Sequence, residues 1–288
     1  LEQASNLVGI QGEAQSAYIT LDVVEALKAR VYLEMEDYQN AAAAAQGLIN
    51  SKRYTLISDG DAYKKMWLND VGTEAIWQFA MSKTETGSNA LGSSFMGIVD
   101  KLPRPSYLPV KSVLNLYDKE NDIRYDAYFT TGLIDRQVGD DIEVTYCSKW
   151  PGNPELYEGK SNNVNKLKAF RISEMYLIAA EAYAMLNQED KASEMLNELK
   201  KIRIKGWTET VDNGAALMQE IQDERVRELF AEGNRLFDMK RWKIGMKRSS
   251  SDAQRDDYLP ALGTDIEKEA TDNRWVWPIP KDEMLSLI

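Results

Sequence analysis

Four residues recur with the same spacing in two distant parts of the chain, and this repetition limits the possible folds more than any other feature. In each copy an Ala comes three positions before a Tyr, a second Ala follows the Tyr by nine, and a Leu follows seven later. Small residues let two helices approach closely, and the Tyr can fill the groove between them. The spacing therefore predicts two copies of a helical hairpin, marked by Ala29, Tyr32, Ala41 and Leu48 and by Ala180, Tyr183, Ala192 and Leu199.

Both predicted hairpins have the spacing that is typical of tetratricopeptide (TPR) repeats. The match is partial, because Glu25 and Tyr176 stand where that motif has Trp, and the motif's terminal Pro is absent. Asp37 is a predicted N-cap, since its carboxylate can accept hydrogen bonds from the free backbone N–H groups of the following helix. The predicted hairpins pair 17–35 with 38–51 and 169–187 with 190–204.

The rest of the chain is divided by proline, glycine and polar residues. The segment 52–168, between the two hairpins, is predicted to be a loop-rich insertion. Within it the alternating residues Glu74–Phe79 predict a strand, and Asp140–Tyr146 predict a weaker one. We expect a single, mainly α-helical domain over 1–288.

A C-terminal helical region is predicted over about 213–246. Its residues are good helix formers with few interruptions. Gly233 is expected to let the chain turn between two helices, at 213–232 and 234–244.

Composition excludes several classes of function. The chain has no histidine, which removes His-dependent triads, His general bases and His-ligated metal sites. Cys147 is the single cysteine, so an intramolecular disulfide is impossible. The formal net charge of -11 argues against nucleic acid as a partner, although a local basic patch would escape this argument. No apolar run is long enough to span a membrane.

Three glutamates, Glu224, Glu228 and Glu232, lie four residues apart and share one face of a predicted helix. One interpretation is a catalytic carboxylate cluster, since acid chemistry without histidine remains possible. The other is a set of ion pairs with Arg225, Arg227 and Arg235 that fixes helix packing. We favour the second interpretation, in which the core contains Leu229, Phe230, Phe237 and Trp242.

Several segments together resemble the SusD/RagB family of outer-membrane nutrient-binding lipoproteins. The most specific is Glu224–Trp242, which closely resembles a family run that includes Glu224, Arg225, Glu228, Gly233, Arg235, Asp238 and Trp242. The supporting segments are Ala29–Leu33 with Asp37–Tyr38, Asn121–Arg124, Arg171–Ala182, Ala192–Arg203 and Trp277–Pro280 followed by Glu283.

This resemblance implies a scaffold of TPR-like hairpins whose loops hold an oligosaccharide or polysaccharide at the cell surface. It also implies no catalysis, no cofactor, attachment to the outer membrane through a lipid, and a SusC-like, TonB-dependent transporter as partner. Family members begin with a lipid-attachment cysteine and a further helical segment. Neither is present here, so we expect the chain to be part of a longer protein.

Within the insertion, Trp150 is the leading candidate for a sugar-stacking residue. It lies in a Pro-, Gly- and Asn-rich stretch, and a sugar's apolar face can lie on an aromatic ring. Asn153 and Tyr157 are candidate partners for sugar hydroxyls. The alternative is an ordinary packed loop.

Segment 101–107 could line a groove, but a plain extended connection is the favoured interpretation.

Two other functions stay open. A TPR-type scaffold could bind a protein or peptide in its concave face, and pull-down experiments against glycan arrays would separate the two. A glycosidase would need a cleft with two carboxylates about 5–10 Å apart. The sequence offers no positive support for the second.

Overall fold

The computed structural model describes residues 1–84, 91–99, 102–136, 139–156, 163–210, 212–249, 251–255, 267–276 and 278. Its described part is mainly helical, which confirms the predicted fold class. No helix among these residues is both long enough and apolar enough to cross a bilayer. The helices are α1 (Glu2–Leu7), α2 (Leu21–Glu34), α3 (Tyr38–Ser51), α4 (Gly60–Leu68), α5 (Leu91–Met96), α6 (Lys111–Leu114), α7 (Ile123–Tyr128), α8 (Ile172–Met185), α9 (Glu189–Arg203), α10 (Gly214–Glu228) and α11 (Arg235–Arg241).

The strands are short and form two-stranded antiparallel pairs: β1 (Ala75–Gln78) with β6 (Lys168–Arg171), β2 (Ile98–Val99) with β3 (Leu102–Pro103), β4 (Phe129–Ile134) with β5 (Ile142–Cys147), and β7 (Met246–Lys247) with β8 (Glu267–Lys268). Strands β1 and β5 confirm the two strands predicted from alternation. The pairing of β1 with β6 brings the beginning and the end of the long central segment together.

The two predicted hairpins are α2–α3 and α8–α9, and they pack against each other through α3 and α8. The four repeated alanines are all 0% exposed, as expected if they allow helices to approach closely. Tyr32 and Tyr183 are half-buried against the same hydrophobic core. The side chain of Asp37 accepts a hydrogen bond of 3.3 Å from the backbone N of Asn40, which confirms it as the N-cap of α3.

The C-terminal helices differ from the prediction in one boundary. Helix α10 ends at Glu228, one turn before the predicted end. The residues that follow form a tight turn in which Ala231 and Gly233 have φ of 57° and 86°. Gly233 therefore lies at the predicted break, in a backbone conformation that glycine adopts without steric cost.

Segment 52–168 contains more regular structure than the predicted loop-rich insertion. Helices α4 to α7 and strands β1 to β5 all lie within it. Many of its aromatic side chains form a second hydrophobic core that includes Tyr63, Trp67, Tyr117, Tyr128, Phe129 and Trp150. This core lies beside the helical hairpins and holds the surface loops of the segment in place.

Candidate functional site

The two glutamates of α10 that share this face, Glu224 and Glu228, are ion-paired inside the protein. Glu228 is fully buried and accepts hydrogen bonds from Arg124 (3.1 Å), Arg171 (2.8 Å) and Arg203 (2.9 Å). Burial alone would raise the pKa of Glu228, but these guanidinium groups outweigh it and hold the pKa well below its ordinary value. A carboxyl group held in its ionised form cannot serve as a general acid near neutral pH.

The partners of Glu228 are themselves bound to further acids. Arg171 and Arg203 also contact Glu74, at 3.0 and 2.8 Å, and Arg124 contacts Glu224. We call these six buried residues, Glu74, Arg124, Arg171, Arg203, Glu224 and Glu228, the central ion-pair network. It connects α7, β6, α9 and α10, and these contacts favour the structural interpretation of the glutamate face.

Glu232 extends the network toward Lys149. Its carboxylate accepts from Arg171 (2.6 Å) and from Lys149 Nζ (2.7 Å), and both basic side chains are buried. Burial lowers the pKa of Lys149 to about 8 despite the neighbouring charge of Glu232.

A second ion-pair cluster anchors α11. Asp238 accepts hydrogen bonds from Arg225 (2.7 Å) and Arg241 (2.8 Å). Glu181 accepts from Arg241 (2.7 Å) and from the indole N–H of Trp242 (2.7 Å). Four of the residues in the sequence run therefore hold α11 against α8 and α10.

Two predictions for this run are wrong. Phe237 is 54% exposed, because α11 turns Asp238 and Arg241 toward the protein and so turns Phe237 outward. Arg235 is also exposed, and in the described part of the chain it forms no ion pair; its guanidinium lies 5.8 Å from the centre of the Trp242 ring. Phe230 and Trp242 are half-buried, and Leu229 is buried.

A network of buried, ionised carboxylates predicts loss of stability in acid. The pKa values of Glu224, Glu228 and Glu232 are lower in the folded chain than the ordinary 4.5 of an unfolded one. Such groups stabilise the fold above the unfolded pKa, and this contribution disappears as the pH falls through the folded pKa. We expect the free energy of unfolding to decline steadily below about pH 4.5, as measured by chemical denaturation at several pH values. A stability that stays constant down to about pH 3 would contradict the assignment.

The predicted sugar-stacking residue Trp150 lies in the second hydrophobic core. It is 2% exposed, its indole N–H donates to the carbonyl of Ala231 (3.1 Å), and its ring meets Trp67 edge-on at 5.1 Å. This burial agrees with the alternative interpretation, an ordinary packed loop. Trp150 is buried because Trp67 and Ala231, which lie far from it in the sequence, pack against its side chain. Contact of Trp150 with a glycan stays a prediction.

The predicted site residue Asn153 is not brought beside an open surface. Asn153 is 3% exposed and donates to the carbonyl of Asn69 (3.0 Å) and to Asp70 (2.9 Å), so its amide holds the loop. Tyr157 lies outside the described residues.

The lone thiol of Cys147 is 1% exposed, and burial raises its pKa to about 11.

Trp150 does line a cleft, which we call the inner cleft, with a volume of about 540 Å³. Its charged side chains are already paired: Arg30 donates two hydrogen bonds to Glu174, at 2.8 and 2.7 Å, and Arg171 is bound to Glu232. The remaining lining is largely apolar and includes Phe79, Phe95 and Leu229. The charged groups of this lining are therefore already bound in ion pairs within the protein.

A second depression, which we call the outer groove, has a volume of about 670 Å³. One wall is the extended stretch after β3, and the opposite wall comes from the end of β4 and from a C-terminal turn. The sequence had suggested that part of the first wall could line a groove, and the structure supports that alternative over a plain connection. The lining residues are Arg104–Val110, Ile134–Arg136, Arg248, Ala253 and Gln254.

Backbone contacts hold the outer groove in shape. The backbone N of Asp135 donates to Pro103 (2.9 Å), and that of Ser106 donates to Ser94 (2.8 Å). The side chain of Gln254 ties the C-terminal turn to two other parts of the chain, since its Nε2 donates to the carbonyl of Pro109 (2.9 Å) in the first wall and to that of Thr145 (2.6 Å) in β5. These hydrogen bonds give the groove a defined shape.

The most exposed aromatic side chain of the outer groove is Tyr107. It is 65% exposed, and its ring is backed by Phe95 at a centroid distance of 6.2 Å. Arg104 and Asp135, which are paired with each other, lie on the same lining with Ser106. An open aromatic face beside hydrogen-bonding groups suits a ligand with both apolar and hydroxylated surfaces.

Sequence reasoning named the segment of Tyr107 but not Gln254, Arg136 or Arg248. These residues carry no local motif. Arg136 reaches the groove about 30 positions after Tyr107, and Arg248 and Gln254 reach it only because the chain returns after more than 100 residues. Among the described residues, no group of three acidic or cysteine side chains is arranged to hold a metal ion.

Comparison with known proteins gives the family. The SusD family model matches residues 142–286. SusD-like protein P38 of Formosa agariphila is 25% identical over 261 residues, which cover 75% of this chain and 50% of that protein. SusD-like protein P25 of the same organism is 28% identical over 125 residues, covering 42% of this chain and 24% of that protein.

Solved structures share the fold. A SusD superfamily protein from Bacteroides thetaiotaomicron is 27% identical, with a TM-score of 0.78 over 99% of this chain and 63% of that one. A SusD-like carbohydrate binding protein from Bacteroides vulgatus is 19% identical, with a TM-score of 0.72 over 99% of this chain and 62% of that one. The chain thus spans less than two thirds of the length of these relatives. The resemblance seen in the sequence is confirmed, and the chain belongs to the SusD family.

Proposed function

We propose that this chain is a non-catalytic glycan-binding protein and that the outer groove holds an oligosaccharide. The observation that carries this proposal is the exposed ring of Tyr107 in a groove lined by Arg104, Ser106 and Asp135. A pyranose offers an apolar face to such a ring and hydroxyl groups to the polar side chains around it. The relative from Bacteroides vulgatus is a SusD-like carbohydrate binding protein, which supports the same ligand class.

The acidic groups of the chain support binding without catalysis. A glycosidase places two carboxyl groups about 5–10 Å apart around the bond that is cleaved. Among the described residues of the outer groove the one carboxylate is Asp135, and it is paired with Arg104. The glutamates of α10 are buried in ion pairs away from solvent.

For the whole protein we propose attachment to the outer membrane as a surface lipoprotein and a SusC-like, TonB-dependent transporter as partner. The support is membership of the SusD family, whose members have this arrangement. Co-purification of a transporter barrel with the full-length protein from outer membranes tests the assignment. Recovery of the protein from another compartment would overturn it.

Replacing Tyr107 with Ala is expected to weaken oligosaccharide binding by about tenfold or more, because an aromatic anchor contributes on the order of 2 kcal/mol. The melting temperature should stay unchanged, since the ring is mostly exposed. The measurement is calorimetric titration with an oligosaccharide identified on a glycan array. Tyr18→Ala is the matched control, because Tyr18 is 79% exposed and lies outside the groove.

Equal affinities of wild type and Tyr107→Ala would remove the outer groove as the site. Binding of a peptide or protein in pull-down experiments, with no glycan bound on the array, would favour the TPR-type scaffold instead. Release of shorter sugars by the purified chain would favour the glycosidase.

A further inference from the structure

The outer groove has the opposite charge from the chain as a whole. Its described lining contains three guanidinium groups, Arg104, Arg136 and Arg248, against one carboxylate, Asp135. The formal charge of the whole chain is -11. The described lining of this groove therefore combines a local excess of positive charge with an exposed aromatic ring.

The arginines are placed where a ligand can reach them. Arg248 is exposed at the end of β7, and Arg104 keeps 31% of its side chain exposed while pairing with Asp135 at 3.1 Å. The backbone N of Asp135 donates to the carbonyl of Pro103, which holds Asp135 in place. The ion pair with Asp135 in turn holds the Arg104 side chain. Arg136 follows Asp135 directly and is half-buried.

The apolar walls of the groove strengthen the electric field of the arginines that line it. Leu108, Val110, Ile134 and Ala253 contribute apolar surface between the arginines. Low-dielectric walls concentrate the field of charges that line a cleft. A guanidinium group also presents its N–H donors in a planar fork that matches a carboxylate or a sulfate.

We infer that the glycan bound in the outer groove is acidic, carrying the carboxylate of a uronic acid or a sulfate ester. This inference rests on the proposed function, because it specifies the chemistry of the ligand that Tyr107 stacks on. The sugar ring would lie against Tyr107 and its anionic group would face the arginines. A neutral oligosaccharide would offer no anionic group to Arg104 and Arg248.

The test is calorimetric titration with three oligosaccharides of equal length: a neutral xylo-oligosaccharide, an oligogalacturonate and a sulfated carrageenan oligosaccharide. We expect at least one acidic probe to bind about tenfold tighter than the neutral one, and its affinity to fall as salt is raised, since salt screens exposed charges. Preference for the oligogalacturonate identifies a carboxylate ligand, and preference for the carrageenan identifies a sulfate ligand.

Arg248→Gln should reduce the affinity for the preferred acidic probe by about tenfold and leave any neutral binding unchanged. Arg235→Gln is the matched control, because Arg235 is exposed and lies outside the groove. A circular dichroism melt checks that both variants fold.

The outcomes separate this inference from the proposed function. If the neutral sugar binds as well as the acidic ones, with no salt dependence and no effect of Arg248→Gln, while Tyr107→Ala still weakens binding, the groove binds glycans but the acidic specificity is overturned. If no probe binds, or Tyr107→Ala leaves acidic binding intact, the proposed function fails and this inference fails with it.

Discussion

Glu228→Ala is expected to destabilise the chain by about 3–5 kcal/mol, because it leaves buried cations without their shared carboxylate. Arg124, Arg171 and Arg203 all donate hydrogen bonds to Glu228, and each is at most 1% exposed. Removing one member of such a group costs more than the contact itself contributes, since the remaining charges cannot be solvated. A loss of this size is a large part of the 5–15 kcal/mol that typically separates folded from unfolded domains.

Urea denaturation of the variant beside wild type measures this loss. Arg235→Ala is the matched control within the same sequence run, and it should change the free energy of unfolding by less than about 0.5 kcal/mol, because Arg235 is exposed. Similar losses for the two variants would show that the central ion-pair network contributes little to stability.

Trp150→Ala is expected to cost about 3–5 kcal/mol, the usual range for emptying a buried tryptophan site. The side chain fills space beside Trp67, and its N–H satisfies the carbonyl of Ala231 in the turn after α10. Truncation would therefore leave a cavity in the second hydrophobic core and remove the side-chain hydrogen bond to the carbonyl of Ala231.

The melting temperature of Trp150→Ala should fall by several degrees or more, as ΔΔG of this size requires. Phe237→Ala is the control, since Phe237 is a 54% exposed aromatic residue and its loss should have little effect. A melting temperature equal to that of wild type would contradict the core assignment. Trp150→Phe keeps most of the packing and so allows the predicted contact of Trp150 with a glycan to be measured separately.

The helical hairpins could be predicted because their determinants are close together in sequence. The fixed spacing of Ala and Tyr in α2–α3 and α8–α9 reflects contacts between neighbouring helices. Asp37 caps a helix that begins at the next residue. The strand at Ala75–Gln78 and the turn at Gly233 follow equally local rules of alternation and backbone conformation. The run from Glu224 to Trp242 likewise indicated the SusD family without any structure.

The functional surface depended on contacts that no local pattern encodes. Trp150 lies in a Pro- and Gly-rich stretch of the kind that predicts an exposed loop. Its ring is nevertheless covered by Trp67, which comes more than 80 positions earlier in the chain. Tyr107 has no partner that buries it, so it stays open beside Arg248 and Gln254, which arrive from the far end of the chain. Short-range spacing determines helices and turns, because their hydrogen bonds join near neighbours. Burial and charge at a site are sums over distant segments, so only the tertiary structure decided which aromatic ring became core and which remained available to a ligand.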